Sequence, residues 1–210
     1  MLTCEYAGEP FTEPRSHPWG DVAGKPDCRY YDLTSFPELI RTSLEDFQPW
    51  SRYAAIEGFY ALLERLNHPR SSLESNDCAF NGPGENEDPA IAKPFQCSGR
   101  LMVLFRALAQ NTDQSRMARL RSDLHEELSA GDPSFQWGMV GTTVVPVRYL
   151  ELSENPEQQL GAELMLSFWA WGDSEADTML NLQRLIKNLS QAVRTVSARS
   201  ATSATSATSR

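Results

Sequence analysis

Two neighbouring stretches, VGTTVVPVRYLEL (residues 140–152) and GAELMLSFWAW (residues 161–171), decide the fold of this chain. Both are rich in β-branched and aromatic residues, and the polar SENPEQQ at 153–159 joins them, which predicts an antiparallel hairpin. Pro146 has no backbone donor, so the first member belongs at a sheet edge or carries a bulge there. Along the second, a period of two sends Leu164, Leu166, Phe168 and Ala170 to one face and Met165, Ser167, Trp169 and Trp171 to the other.

Helical periods flank the hairpin. In TDQSRMARLRSDLHEELSAGDP (112–133) the stripe Met117, Leu120, Leu124 and Leu128 predicts a helix, with Thr112 as cap and Gly131 and Pro133 as stops. After the hairpin, Asp173 or Ser174 caps a long helix to about Val196, with Met179, Leu182, Ile186, Leu189 and Val193 along one side. Further upstream, PWSRYAAIEGFYALLERLNHP (49–69) places Ile56, Phe59, Tyr60, Leu63 and Leu66 at helical spacing, and Asn67 and Pro69 end it. Ser35 and Glu38 form an S-x-x-E pattern that predicts a short helix over 36–45.

Between the helices, SLESNDCAF (72–80) reads as a strand, followed by a Gly- and Pro-rich acidic loop over 81–98. GRLMVLFRALAQ (99–110) reads as a second strand, although Leu101, Leu104, Phe105 and Leu108 also suit a buried helix. The sum is an α+β two-layer domain over 35–197, with about four antiparallel strands and the helices on one face. Residues 1–34, proline-rich and without sustained periodicity, form an extended arm. Residues 198–210 lie within a Ser-Ala-Thr repeat with no apolar content to offset the entropy of ordering, and read as a disordered tail.

A chain of 210 residues can bury a core without staples. Its 28 Asp and Glu against 19 Lys and Arg give a formal net charge of −9, and no basic run offsets it, which argues against nucleic acid as a partner. The first 21 residues have neither a basic nor an apolar leader region, and LMVLF (101–105) is too short to cross a bilayer, so the expectation is a cytoplasmic protein without a membrane role. In that compartment Cys4, Cys28, Cys78 and Cys97 are reduced thiols.

Chemistry has few footholds. Cys78 is the one thiol in a polar setting, and an enzyme pocket would combine it with Asp77 and one of His68, His17 or His125. Asp77 and Glu74, however, disfavour a thiolate beside them. No C-x-x-C or H-E-x-x-H occurs, and Glu74, Asp77, Glu85, Glu87 and Asp88 lack the ladder of a calcium loop. NGPGE (81–85) cannot form a phosphate-binding turn, so neither metal nor cofactor is expected.

The remaining signal is a surface. If helices cover the Leu164 face, Trp169 and Trp171 stand on the opposite one, and with Glu85, Glu87 and Asp88 they fit a macromolecule-binding protein of adaptor, inhibitor or immunity type. Carboxylates would steer a basic protein partner and the aromatics would anchor it, or the face would serve self-association. Alternatively the arm, with Trp19, Tyr30 and Tyr31, covers the tryptophans, and an aromatic-lined cavity between arm and sheet takes a small ligand.

Overall fold

The computed structural model describes residues 3–6, 13–18, 31–132 and 134–207, with backbone alone at 3–6 and 200–207. Most of the arm, including Cys4, Trp19, Cys28 and Tyr30, lies outside the described residues or their side chains, as do Pro133 and 208–210.

The fold is α+β. Four antiparallel strands form the centre of the sheet as two hairpins set side by side: β4 (Cys78–Glu85), β5 (Phe95–Phe105), β7 (Leu160–Gly172) and β6 (Gly138–Tyr149), in that spatial order. The predicted hairpin is β6 and β7, in register from Gly138↔Ala170 to Arg148↔Leu160, with a one-turn helix α4 (Pro156–Gln159) in its connection. Two pieces of the arm, β1 (Thr3–Tyr6) and β2 (Arg15–His17), lie parallel to β6, so the sheet is mixed rather than purely antiparallel. They pair with residues 139–142 and 147–149 of β6 and leave Pro146 in the gap between them, where its missing donor costs no ladder bond.

The strand predicted over 72–80 is broken. A short β3 (Leu73–Glu74) pairs with the end of β5, residues 75–77 leave the ladder, and β4 then runs on to Glu85. The predicted loop shrinks accordingly, to 86–94. Gly82 lies at the register shift between Asn81 and Gly84, where the Trp50 ring leaves no room for a side chain: a Cβ there would sit 2.0 Å from Trp50 Cε2. Asn67 fixes the break, its Nδ2 donating to Leu63 O (3.0 Å) and its Oδ1 accepting from Ser75 N (3.2 Å).

The ambiguous 99–110 segment is a strand through Phe105, paired on both sides, and then a 3-10 turn over Leu108–Thr112. Asn111 ends it: its amide donates to Phe105 O and accepts from Phe105 N, both at 2.8 Å, replacing a strand neighbour.

Helices α2 (Ala54–Leu66), α3 (Gln114–Ser129) and α5 (Glu175–Ala207) cover one face of the sheet. Every residue of their predicted apolar stripes is buried. Two caps differ from expectation. Asp113, not Thr112, caps α3, its carboxylate accepting from Ser115 N (2.9 Å) and Arg116 N (3.2 Å). The Ser35 box does not form: Ser35 N donates to Asp32 Oδ1 (2.8 Å), and only the single turn α1 (Leu39–Thr42) follows. At α5 the Ser174 hydroxyl accepts from Asp177 N (3.2 Å), as a capping residue should.

The backbone of α5 reaches Ala207, so its last turns fall within the Ser-Ala-Thr segment. Removing residues 200–210 should leave the thermal midpoint unchanged within measurement scatter; a clear drop would show that the repeat packs on the domain.

Phe47, Phe59, Phe80 and Phe168 centre the core, with ring centroids 4.8 Å (Phe47–Phe59), 5.3 Å (Phe47–Phe80) and 5.7 Å (Phe59–Phe168) apart. They tie α2 and the segment before it to β4 and β7.

Candidate functional site

The strand registers assign each side chain to a face. Arg100 pairs with Ser167 and Ala79, and Met102 with Met165, so these share the face away from the helices with Glu163, two residues before Met165. Cys78 pairs with the core residue Leu101, and Asp77 precedes it with the opposite orientation.

On this far face, at the break between β3 and β4, five polar side chains gather. Asp77 Oδ2 accepts from Arg100 Nη2 (3.4 Å) and from Arg15 Nη1 (3.5 Å), the latter on β2. Asn76 Nδ2 donates to Glu163 Oε2 (3.5 Å). All these contacts are long for charge-assisted hydrogen bonds. Glu163 is 0% exposed and Asn76 3%, yet Glu163 Oε1 and Asn76 Oδ1 have no hydrogen-bond partner. Burial, with the Asp77 charge adding to it, pushes the Glu163 carboxyl up to about 7; Arg15 and the Asn76 amide oppose the shift without cancelling it.

An orphaned carboxylate oxygen inside a protein costs several kcal/mol unless the group stays protonated or finds a donor. Glu163 sits on β7, a strand paired on both sides, where an apolar residue would cost nothing of the kind. What the cluster lacks is a hydrogen-bond donor: both orphans are acceptors, and the two guanidiniums face Asp77. A carboxyl titrating near neutrality is also able to exchange a proton with whatever it holds.

The residues singled out from sequence fall in several places. Cys78 packs on the helix side; burial, reinforced by Asp77, raises its thiol far above the ordinary value, and Cys97 is pushed up to about 12 by burial. Neither is a thiolate at neutral pH. No histidine bonds Cys78: His17 Nδ1 lies 3.4 Å from Glu151 Oε1, His68 Nδ1 accepts from Arg70 N after α2, and His125 is on α3. The Cys78–His68 pocket is therefore not assembled. Asp77 alone of that set belongs to the polar cluster.

Trp169 and Trp171 are on the far face as the alternation requires, but Trp169 is half-buried and Trp171 only 8% exposed, its Nε1 without a partner. The expectation of two exposed anchors is corrected to one partly exposed indole. Glu85, Glu87 and Asp88 are exposed at the β4–β5 tip. Since Gln96 pairs with Trp171 and Phe95 with both Glu85 and Gly172, that tip lies at the Trp171 end of the sheet.

Among the described residues no group of three or more His, Cys, Asp or Glu is placed to hold a metal ion, and no helix is long and apolar enough to cross a membrane. No family model matches this chain, and no curated protein or solved structure matches it.

Proposed function

We propose that the protein binds a small ligand on the far face of its sheet, with Glu163 and Asn76 accepting hydrogen bonds from a cationic nitrogen group. The supporting observation is the pair of orphaned acceptors on buried side chains beside an Arg15–Asp77–Arg100 group whose two guanidiniums are turned to Asp77. Natural proteins satisfy nearly all buried polar atoms, and those left over mark sites where something else completes the network. An ammonium or guanidinium supplies several donors at once and stabilises the carboxylate form of Glu163.

Thermal shift with methylguanidine, butylguanidine and 1,4-diaminobutane tests this, with glutarate as an anionic control. At least one cation should raise the midpoint of the unaltered protein and leave Glu163→Gln unmoved. Equal shifts in both proteins, or none from any cation, would remove the reading.

The clustering of the exposed Glu85–Asp88 tip with the Trp171 end of the sheet favours a second reading, docking of a basic macromolecule there. Trp169→Ala, the partly exposed position, should weaken such a complex while the fold persists. Trp171→Ala is a different case: truncating a buried indole should cost about 3–5 kcal/mol of stability, measurable by denaturant titration. A Trp171→Ala protein as stable as the parent would restore Trp171 as a surface anchor.

A further inference from the structure

The described cations mostly stand beside carboxylates: Arg41 with Glu57 and Glu64, Arg184 with Asp132, Arg199 with Glu127. Arg65, Arg70, Lys187 and Arg194, like Arg119 and Arg148, have no ion-pair partner among the described residues. In a chain of net charge −9 the first four form an unusual group, for all of them line one groove between α2 and α5.

The groove consists of two adjoining cavities of about 550 and 350 Å³ that share Arg65 and Arg194. Arg70 lines the first and Lys187 the second. Ala54, Gly58 and Ala61 keep the α2 wall low; a Cβ on Gly58 would already lie 3.5 Å from Ile186 Cγ2. The one carboxylate in the lining, Glu64, is engaged by Arg41 Nε at 2.7 Å. At the C-terminus of α2, whose carbonyls would repel an anion, Arg106 Nη2 donates to Leu66 O (3.5 Å) and to His68 O (3.0 Å) in the turn that follows, and its Nε donates to Ser71 O (3.0 Å).

We infer that the α2–α5 groove binds a small phosphate-bearing ligand, held at the junction of its two cavities by Arg65 and Arg194. The planar guanidinium fork matches two phosphate oxygens at once, which favours phosphate in a site built mainly of arginine. The cavity sizes fall in the range of small-molecule sites. Arg70 and Lys187, toward the two ends, suit a ligand with more than one anionic group. This groove is separate from the Glu163 cluster and does not depend on it.

Calorimetric titration of the full chain with inorganic pyrophosphate and triphosphate, at low and at physiological salt, tests the inference. Saturable binding should weaken with salt, and Arg65→Gln with Arg194→Gln should reduce affinity about tenfold or more, as expected for lost charged hydrogen bonds. Arg70→Gln, outside the helices, should weaken binding in the same direction and covers the case in which the double variant folds poorly. Arg148→Gln, a half-buried arginine on β6 that does not line the groove, should change nothing. Three results would overturn the inference: no saturable pyrophosphate binding, an equal loss in Arg148→Gln, or displacement of pyrophosphate by a polyglutamate peptide that binds more tightly.

Discussion

Stability of the protein should fall by about 3 kcal/mol as pH rises from below 4.5 to above 7, and Glu163→Gln should abolish most of that fall. The folded state holds the Glu163 proton up to about 7, whereas the ordinary value is 4.5. Between these values the folded chain binds more protons than the unfolded one, so the slope of unfolding free energy with pH is negative. The stabilising contribution is complete below 4.5 and is lost as pH passes through 7, at about 1.4 kcal/mol per tenfold difference in proton affinity. Glu74, raised by burial, adds a smaller fall of the same sign that the variant retains. Asp113, Asp132 and Glu175 are held below their ordinary values by hydrogen bonds, so their effect appears at lower pH and does not overlap this window. Denaturant titrations between pH 5 and 9 check the result; parallel curves for parent and Glu163→Gln would mean that Glu163 is not buried as described.

Phe168→Ala should be among the most damaging single changes, at about 3–5 kcal/mol. Phe168 is fully buried, its ring is 5.7 Å from Phe59, and it presses on Gly99, where a Cβ would lie 2.4 Å from its Cζ. The glycine accommodates the ring, so truncation leaves a cavity between two β-strands and α2 that backbone closure cannot fill. Because folded domains hold only about 5–15 kcal/mol in reserve, this loss should shift the denaturant midpoint strongly at unchanged slope. A loss below about 1 kcal/mol would show that the site collapses around the missing ring.

The elements that were legible are those whose pattern is long and local. The β6–β7 hairpin, the two-faced alternation of β7 and the stripes of α2, α3 and α5 follow from spacing, because burial on one side imposes the period. The short first helix failed because Asp32 offers the Ser35 amide a nearer acceptor than a capping box would. The strand expected over 72–80 breaks at residues 75–77 because the Asn67 side chain, at the end of α2, takes the Ser75 amide out of the ladder.

The candidate site was nearly invisible in the sequence for the same reason. Arg15, Asn76, Asp77, Arg100 and Glu163 come from four separate segments and share no motif. One local signal existed: Glu163 is the only charged residue in GAELMLSFWAW, a segment otherwise apolar enough to be a central strand. The Cys78 environment, by contrast, was readable in part. Asp77 beside it disfavours a thiolate, and pairing with Leu101 turns the thiol to the helices and the carboxylate to the far face.

The measurement that tests the far-face site most directly is a carbon-13 NMR titration of the Glu163 carboxyl, with and without a saturating alkylguanidinium. The titration midpoint should lie near 7 in the free protein. It should move down when the cation is bound, since a neighbouring positive charge favours the carboxylate. A midpoint near the ordinary 4.5, or one that the cation leaves in place, would contradict the assignment of Glu163 as a buried acceptor awaiting a donor.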